Sequence, residues 1–512
     1  MNDIGTTRQL FADTGLIESM VHVFRVLNPG RKHPANPVLA ADRPWEESRL
    51  LCVYGTAVHD PDAAATERFR LWYVSRKGEY GDRDHAGPML AVSADGIHWQ
   101  KPLLGVTALD GSTANNAVWA DNSRNWVSFN GLAYDPHDQD PEQRYKLLGF
   151  LGADVPCSVR PGYGAFFSGD GVRWRPAPAN PVFAYDHLSV CEVLTTIANE
   201  QAAQPRPDHP LDRHRYYGAG KYSSWLCPPV PDPSFGLMRR ACGLMTSDDY
   251  RVWSPNHLIL QPDELDDFLC RQRIMQAAPV LRRNRPEQHR AEFYGMGLMP
   301  YGDLLFGFLW VLDACGSVRD DGGNQEGPVH VQLTATRDLR SWQRLGERLP
   351  LLAPGPPGAW DCGSIYTCNR PLVVGDQIRL YYGGRDRGHF SDADTVGGIG
   401  LATWRLDGFV SIDANTPAGT LVTRPFRFAG NRLLINAVTR TGGEVRVELL
   451  ADDGSTLAGF SAAENVPFHG DAVRHEVSWT GGNGPERFGD RPIRLRFRLS
   501  NASLYSFGFV ET

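Results

Sequence analysis

Four times along this chain a Ser or Thr is followed two residues later by Asp, and four residues after that by Trp. The copies are SADGIHW (Ser93, Asp95, Trp99), SGDGVRW (Ser168, Asp170, Trp174), SDDYRVW (Ser247, Asp249, Trp253) and TRDLRSW (Thr336, Asp338, Trp342), with the tryptophans 75, 79 and 89 residues apart. A fifth segment, ATWRLDGF at 402–409, keeps Asp407-Gly408 without the spacing. Each copy follows a short run of strand formers: PMLAV, YGAFF, RACGLM, VHVQLT and GGIGLA. Upstream of each lies a pair of apolar runs around a polar turn, such as GLAYDPHDQDPEQRYKLLGF and RPLVVGDQIRLYYGG. Alternation and β-branched or aromatic enrichment make these pairs β-hairpins. A hairpin, a third strand, an Asp-bearing turn and a Trp-headed fourth strand recur five times over 46–412. That pattern predicts an all-β chain built on a five-bladed β-propeller.

The repeated Asp has a structural task in this scheme. Its carboxylate accepts backbone N–H groups of a tight turn, while the Trp packs between neighbouring units. Residues 1–45 form an N-terminal segment in which HPANPVL (33–39) echoes PAPANPVF (176–183). A strand from this segment is expected to complete the last unit and close the ring, leaving no open edge. Beyond residue 412 the Trp repeat stops. LVTRPFRF, RLLINAV, EVRVELL, HEVSWT and PIRLRFRL alternate between Gly, Asp and Asn turns, so 413–512 is expected to be a C-terminal β-sandwich. No long amphipathic helix is evident.

A net charge of −7 without a dense Lys/Arg run argues against a nucleic-acid partner. The most apolar stretch, LLFGFLWVL (304–312), is too short to span a bilayer and reads as a buried strand. Nine scattered cysteines, with no CxxC and no HExxH, support neither a disulfide framework nor a zinc site. No basic stretch leading into an apolar core opens the chain, so a cytoplasmic, reduced location is expected.

TATRDLRSW (334–342) resembles the Thr-Ser-x-Asp-Leu-x-x-Trp turn of the invertase and levanase family, glycoside hydrolase family 32. The propellers of family 43 carry a similar turn. In family 32 the five-bladed propeller also precedes a β-sandwich, so the resemblance in layout spans nearly the whole chain. It implies a divergent relative in that superfamily. The Trp-x-Asn-Asp-Pro-Asn-Gly nucleophile motif and the Arg-Asp-Pro of the second blade are absent. Cys191-Glu192, in SVCEVL, is similar to the Glu-Cys region of the family's general acid with the pair reversed. The resemblance thus implies Glu192 as general acid.

The first strand of each blade lines a propeller's channel, so acids shortly before it are site candidates. Glu46 lies nine residues before Gly55, Asp186 nine before Thr195, Asp267 nine before Gln276 and Asp361 nine before Arg370. Cleavage of a glycosidic bond requires two carboxyl groups flanking the anomeric carbon, one protonating the leaving oxygen while the other attacks or activates water. Glu46, Asp186, Glu192 and Asp361 are the catalytic candidates on this reading. Trp45 and Trp360 immediately precede two of them, and an indole face packs against a sugar's C–H groups. With Asp267 and His389 they make up the substrate-binding candidates. Each has a structural alternative: a solvated or turn-capping acid, a packing Trp, a structural His.

These observations predict a glycosidase acting on a terminal bond of an oligosaccharide or glycoside, furanosides included. Two alternatives stay open. A glycoside phosphorylase on the same frame would need a basic phosphate pocket, for which Arg271, Arg273, Arg385 and Arg387 are available. A non-catalytic sugar-binding propeller would use the acids only as hydrogen-bond acceptors. No cofactor is specified, and a pore Ca²⁺ is conceivable only from the abundance of acids and carbonyls.

Overall fold

The computed structural model describes residues 2–511 apart from 47–50, 53–54, 77–84, 110, 119–130, 152–161, 185–191, 207–208, 225–238, 278–280, 318–324, 390–394, 483 and 490. The chain is almost entirely β-structure, and its first part divides into five successive antiparallel units, the fourth and fifth of which belong to one eleven-stranded sheet through a parallel bridge between Val329 and Ser364. The first contains Leu51–Cys52 and Ala57–His59, then Phe69–Arg76, His85–Ser93 and Trp99–Gln100. The second runs Gly131–Tyr134, Tyr145–Leu151, Gly162–Ser168, with Arg175–Pro176 and Phe183–Ala184 outermost. The third runs Glu192–Ala198, Tyr216–Ser224, Arg239–Ser247, His257–Leu260. The fourth runs Arg290–Tyr301, Leu304–Ala314, Val329–Thr336, with Gln343–Arg344 and Pro350–Leu352 outermost. The fifth contains Ser364–Thr367 and Leu372–Val374, then Gln377–Arg385 and Gly397–Arg405. Its outer strand comes from the other end of the chain: Arg31–Lys32 and Leu39–Ala40 both pair with Gly397–Arg405.

The repeated motif is a turn with a fixed hydrogen-bond plan. Asp95 Oδ1 accepts the N–H groups of Ile97 and His98, each at 2.8 Å. Asp170, Asp249 and Asp338 do the same for the residues two and three further on. The preceding Ser or Thr hydroxyl bonds the same carboxylate in all four copies. The residue after each Asp takes a left-handed conformation: Gly96, Gly171, Tyr250 and Leu339 have φ of 76°, 71°, 64° and 64°. Glycine is the cheap solution, and Tyr or Leu costs about 1–2 kcal/mol there. Tyr250 is retained to good purpose, since its hydroxyl donates to Gly131 O in the second unit at 2.9 Å.

Neighbouring units are tied in sequence. Trp72 Nε1 of the first donates to Gly171 O of the second at 2.8 Å. Tyr250 links third to second, and Thr195 Oγ1 of the third donates to Met296 O of the fourth at 2.6 Å. Tyr301 of the fourth donates to Asp407, just past the last strand of the fifth, at 2.5 Å, and Tyr381 of the fifth to Gly96 O of the first at 2.7 Å. The apolar cores lie between units. Leu304–Ala314 shows why LLFGFLWVL has no alternation: Leu304, Phe306, Phe308, Trp310 and Leu312 enter one core, while Leu305, Leu309 and Val311 enter another on the opposite face. A strand buried on both faces reads as a continuous apolar run.

One buried residue touches every unit. Asn369, between the two inner segments of the fifth, donates its N–H to Gly55 O of the first at 3.0 Å and accepts Leu298 N–H of the fourth at 2.8 Å. Its side-chain Nδ2 donates to Leu132 O of the second at 2.8 Å and to Thr196 O of the third at 3.2 Å.

Residues from 410 onward supply six strands of a separate ten-stranded sheet dominated by Arg432–Ala451 and Ile493–Val510. Its core includes Phe426, Phe428, Leu433, Phe497, Phe507 and Phe509. The N-terminal segment divides between the two bodies: Asn2–Asp3, Gln9–Leu10, Ile17–Val21 and Phe24–Leu27 join this sheet rather than the fifth unit. Asp407 pins the junction by accepting from Arg8, Tyr301, Asn436 and Ser506.

The sequence shows no sign of helix Glu264–Ala277, which lies between the third and fourth units. Its buried positions are Asp266, Asp267, Cys270 and Ile274, so polar residues occupy half of the inward stripe and erase the apolar period. The first strand of the fourth unit accordingly starts at Arg290, not near Gln276. No described helix is long and apolar enough to cross a membrane.

Candidate functional site

The four acids picked out by the nine-residue register have different surroundings. Glu46 is buried, and both its oxygens are engaged. Oε1 accepts Tyr73 OH at 2.7 Å, and Oε2 accepts Lys101 Nζ at 2.6 Å and the N–H groups of Asp42 and Arg43. Burial, reinforced by Glu46, raises the Tyr73 hydroxyl well above its ordinary pKa, so it stays a donor. Asp361 repeats the arrangement in the fifth unit: Oδ2 accepts Lys32 Nζ at 2.5 Å and Tyr382 OH at 3.0 Å. In both cases the acid precedes the first strand of a unit, the Tyr is on the second, and the Lys belongs to the outermost segment. Each carboxylate thus ties the inside of its sheet to the outside. The adjacent tryptophans serve the same braces. Trp45 Nε1 donates to Asn116, which donates in turn to Tyr73, and Trp360 stacks on Tyr382 at 5.8 Å.

Asp267 lies in the first turn of the helix, not at the start of an inner strand. It forms an ion pair with Arg239 at 2.6 Å and accepts Ala291 N–H at 2.9 Å, anchoring the helix across two units. The expectation failed because the register was counted onto a segment that is helical. Asp186 lies outside the described residues, as does the Glu192 side chain. The Glu192 backbone opens the first strand of the third unit and stands opposite Lys221 in the register.

Around that point residues of three units converge. Lys221 and Arg240 come from the third, Tyr294 from the fourth, and Tyr366, Arg385 and His389 from the fifth. Lys221 Nζ sits 3.8 Å from the Tyr294 ring centroid, and His389 packs against Tyr294 at 4.2 Å. Tyr366 OH and His389 Nδ1 are 2.6 Å apart, and Arg385 donates to His389 O while lying over the Tyr366 ring at 5.0 Å. Glu292, two residues before Tyr294, is paired with Arg240 and with Arg290 at 2.7 Å. Burial alone would raise its pKa, but the two guanidinium groups overcome this and bring it down to about 2. Glu292 is therefore a permanent anion, unsuited to donate a proton. Sequence reading found His389 but not Lys221 or Tyr294. The usable signal was a lysine inside the strand YYGAGKYSS, since buried lysines are uncommon.

Of the arginines considered for phosphate, Arg273 forms a bidentate pair with buried Asp313, both contacts at 2.7 Å, and Arg385 belongs to the aromatic cluster. No group of three or more His, Cys, Asp and Glu side chains fit to hold a metal ion exists among the described residues.

No protein-family model matches the chain. Over 148 residues it is 28% identical to an A type blood N-acetyl-α-D-galactosamine deacetylase of Flavonifractor plautii. That match covers 25% of this chain and 19% of the relative, so the chain spans only about a fifth of the curated protein it matches. Among solved structures it is similar to an N-acetylgalactosamine deacetylase from F. plautii, at 14% identity and a TM-score of 0.43 over 77% of this chain and 96% of that one. It is also similar to a family 43 arabinoxylan arabinofuranohydrolase from Bacillus subtilis, at 11% identity and 0.38 over 94% and 99%. A Bombyx mori family 32 β-fructofuranosidase matches at 11% identity and 0.38 over 89% and 91%.

Proposed function

We propose that the five units form a five-bladed β-propeller over 46–412, completed by the strand from 31–40, with a β-sandwich from 413 onward. The hydrogen bonds of Asn369 to all four other units support this ring, since one side chain and its backbone reach five inner strands only near a common axis. A 480 Å³ cavity lined by the distal ends of all five first strands supports it too.

On this frame we infer a carbohydrate-active enzyme whose site lies at the opposite, initial ends of those strands. The reading is supported by the Glu192 backbone, which opens its strand opposite Lys221 in the register, and by the packing of Lys221, Tyr294, His389 and Tyr366 against one another. A carboxyl group next to a rigid aromatic surface suits a sugar ring, which offers C–H groups to the aromatic face and hydroxyls to the polar groups. The reaction class inferred is hydrolysis of a terminal glycosidic bond, with Glu192 and Asp186 as the reacting acids. Glu192 keeps the general-acid role that the family resemblance implies, and Asp186 is the competing acid. Glu46 and Asp361, each bonded to a Lys and a Tyr of its own unit, act as braces.

A second reading, removal of an acetyl group from an N-acetylated sugar, is favoured by the 148-residue similarity to the deacetylase. One panel of reactions separates the two. Chromogenic pyranosides and furanosides are incubated with and without phosphate, and acetate release is followed from an N-acetylgalactosaminide. Phosphate-independent release of the chromophore supports hydrolysis. Acetate release with an intact glycoside selects the second reading, and absence of both refutes enzymatic action on these substrates.

A further inference from the structure

A surface helix ordinarily turns its apolar side to the core and its polar side to water. The helix Glu264–Ala277 departs from this on both sides. Its inward side carries Asp266 and Asp267, paired with Arg344 and Arg239, and Arg273, paired with Asp313. Its outward side carries Leu265, Phe268 and Met275, which are 49%, 54% and 71% exposed. Arg348 pairs with both Asp263 and Asp266, which sets Leu349, itself 62% exposed, beside the first turn. Apolar side chains thus collect where water would favour charge, and an exposed patch of that kind marks a contact with another molecule.

Two charges bordering the strip say which molecule fits. Glu264 and Arg271 are exposed, and neither pairs with an opposite charge among the described residues. Seven residues apart in the sequence, about two helical turns, they stand on one edge of the strip. Leu265 and Gln272 stand on the other edge, with Phe268 and Met275 between them. An edge with an acid at one end and a base at the other is complementary to itself. If two such helices pack antiparallel about a two-fold axis, Glu264 of one copy faces Arg271 of the other, and the reverse pair follows by symmetry. Phe268 then meets its own counterpart near the axis, and Met275 reaches toward the end of the helix where Leu349 lies. A parallel arrangement would set like charges together. The helix also borders the candidate site: Asp267 bonds Arg239 and Ala291, and Arg273 bonds Asp313, at the same strand ends as Arg240, Glu292 and Glu192.

We propose that this strip is an association surface for a second copy of the chain, the two helices packing antiparallel beside the rim of the site. The proposal rests on the helix and not on the reaction assigned above. A stable dimer covers about 800 Å² on each partner, more than the strip presents, so the association is weak and varies with concentration.

The test is sedimentation velocity of the full chain over about 1–200 μM, the weak end of the range for small interfaces. The sedimentation coefficient should rise with concentration toward that of a dimer. Phe268→Asp should raise the dissociation constant at least roughly tenfold, as for a central interface residue. Glu264→Arg and Arg271→Glu should each weaken association by roughly three- to tenfold, because the two-fold axis repeats the loss of each surface pair. The double variant Glu264→Arg/Arg271→Glu exchanges the charges and should return association to within about threefold of the unaltered chain, a coupling that independent sites do not show. The charge variants decide the matter if Phe268→Asp does not fold. A monomer at every concentration, a dimer indifferent to Phe268→Asp, or a double variant as weak as the two single ones overturns the proposal.

Discussion

Asn369 offers the sharpest test of the ring. Asn369→Ala leaves the two main-chain bonds in place, because Gly55 O and Leu298 N–H are bonded by the backbone of residue 369. It removes the Nδ2 donor shared by Leu132 O and Thr196 O. Residue 369 is 1% exposed, so water cannot readily replace the amide. An unsatisfied buried carbonyl costs about 1–3 kcal/mol. The 3.2 Å contact to Thr196 is the weaker of the two, so a total of roughly 2–4 kcal/mol is expected. Urea unfolding followed by tryptophan fluorescence should show a lower midpoint at an unchanged slope. Asn369→Asp is the more severe perturbation, since it turns a donor into an anion facing two carbonyl oxygens. Its buried carboxyl would have a raised pKa, so the variant's deficit relative to the unaltered chain should be smallest below about pH 4, the unfolded value. The variant should lose stability as pH rises through the folded pKa. A loss below about 0.5 kcal/mol for Asn369→Ala, within the range of an ordinary surface change, would refute the axial role and with it the main support for a closed ring.

Glu46→Gln should destabilise by roughly 3 kcal/mol, because it breaks a buried pair and leaves Lys101 undercompensated, while activity per folded molecule changes little; urea midpoints and kcat/KM together check this. Glu192→Gln should lower kcat roughly 10²–10⁴-fold, the usual contribution of a positioned acid or base, without moving the urea midpoint, as steady-state kinetics on an unactivated substrate would show. The Glu292 carboxyl, held at about 2 against burial by Arg240 and Arg290, contributes stability that is complete above the unfolded value near 4.3 and lost as pH falls toward 2. Urea midpoints at pH 5 and pH 3 should therefore converge in Glu292→Gln relative to the unaltered chain.

The fold was legible where the same physical demand recurs. A tight turn that must satisfy two N–H groups needs a short acceptor, and four copies of Asp answer it. Alternation marked the hairpins, and the unbroken apolar run marked the strand buried on both faces. The helix was illegible because half of its inward face is held by Asp266–Arg344 and Asp267–Arg239 pairs, with only Cys270 and Ile274 entering an apolar core. The split of the N-terminal segment was illegible for another reason. Strands of two to five residues carry too short a pattern to show which sheet they will join.

Glu46 and Asp361 recur at one position of two units, each shortly before a first strand. What recurs there is a brace: a carboxylate before the first strand, a tyrosine on the second and a lysine on the outermost segment. In these two units the brace fastens the inner edge of the sheet to the outer one, so its repetition points to a shared structural need. Chemistry breaks symmetry. A reacting bond needs different groups on its two sides. Lys221, Tyr294, Tyr366 and His389 come from three different units and pack together. In a repeat fold, then, the residues that recur are better read as scaffold, and those that break the pattern at the end of an inner strand are the place to look for function.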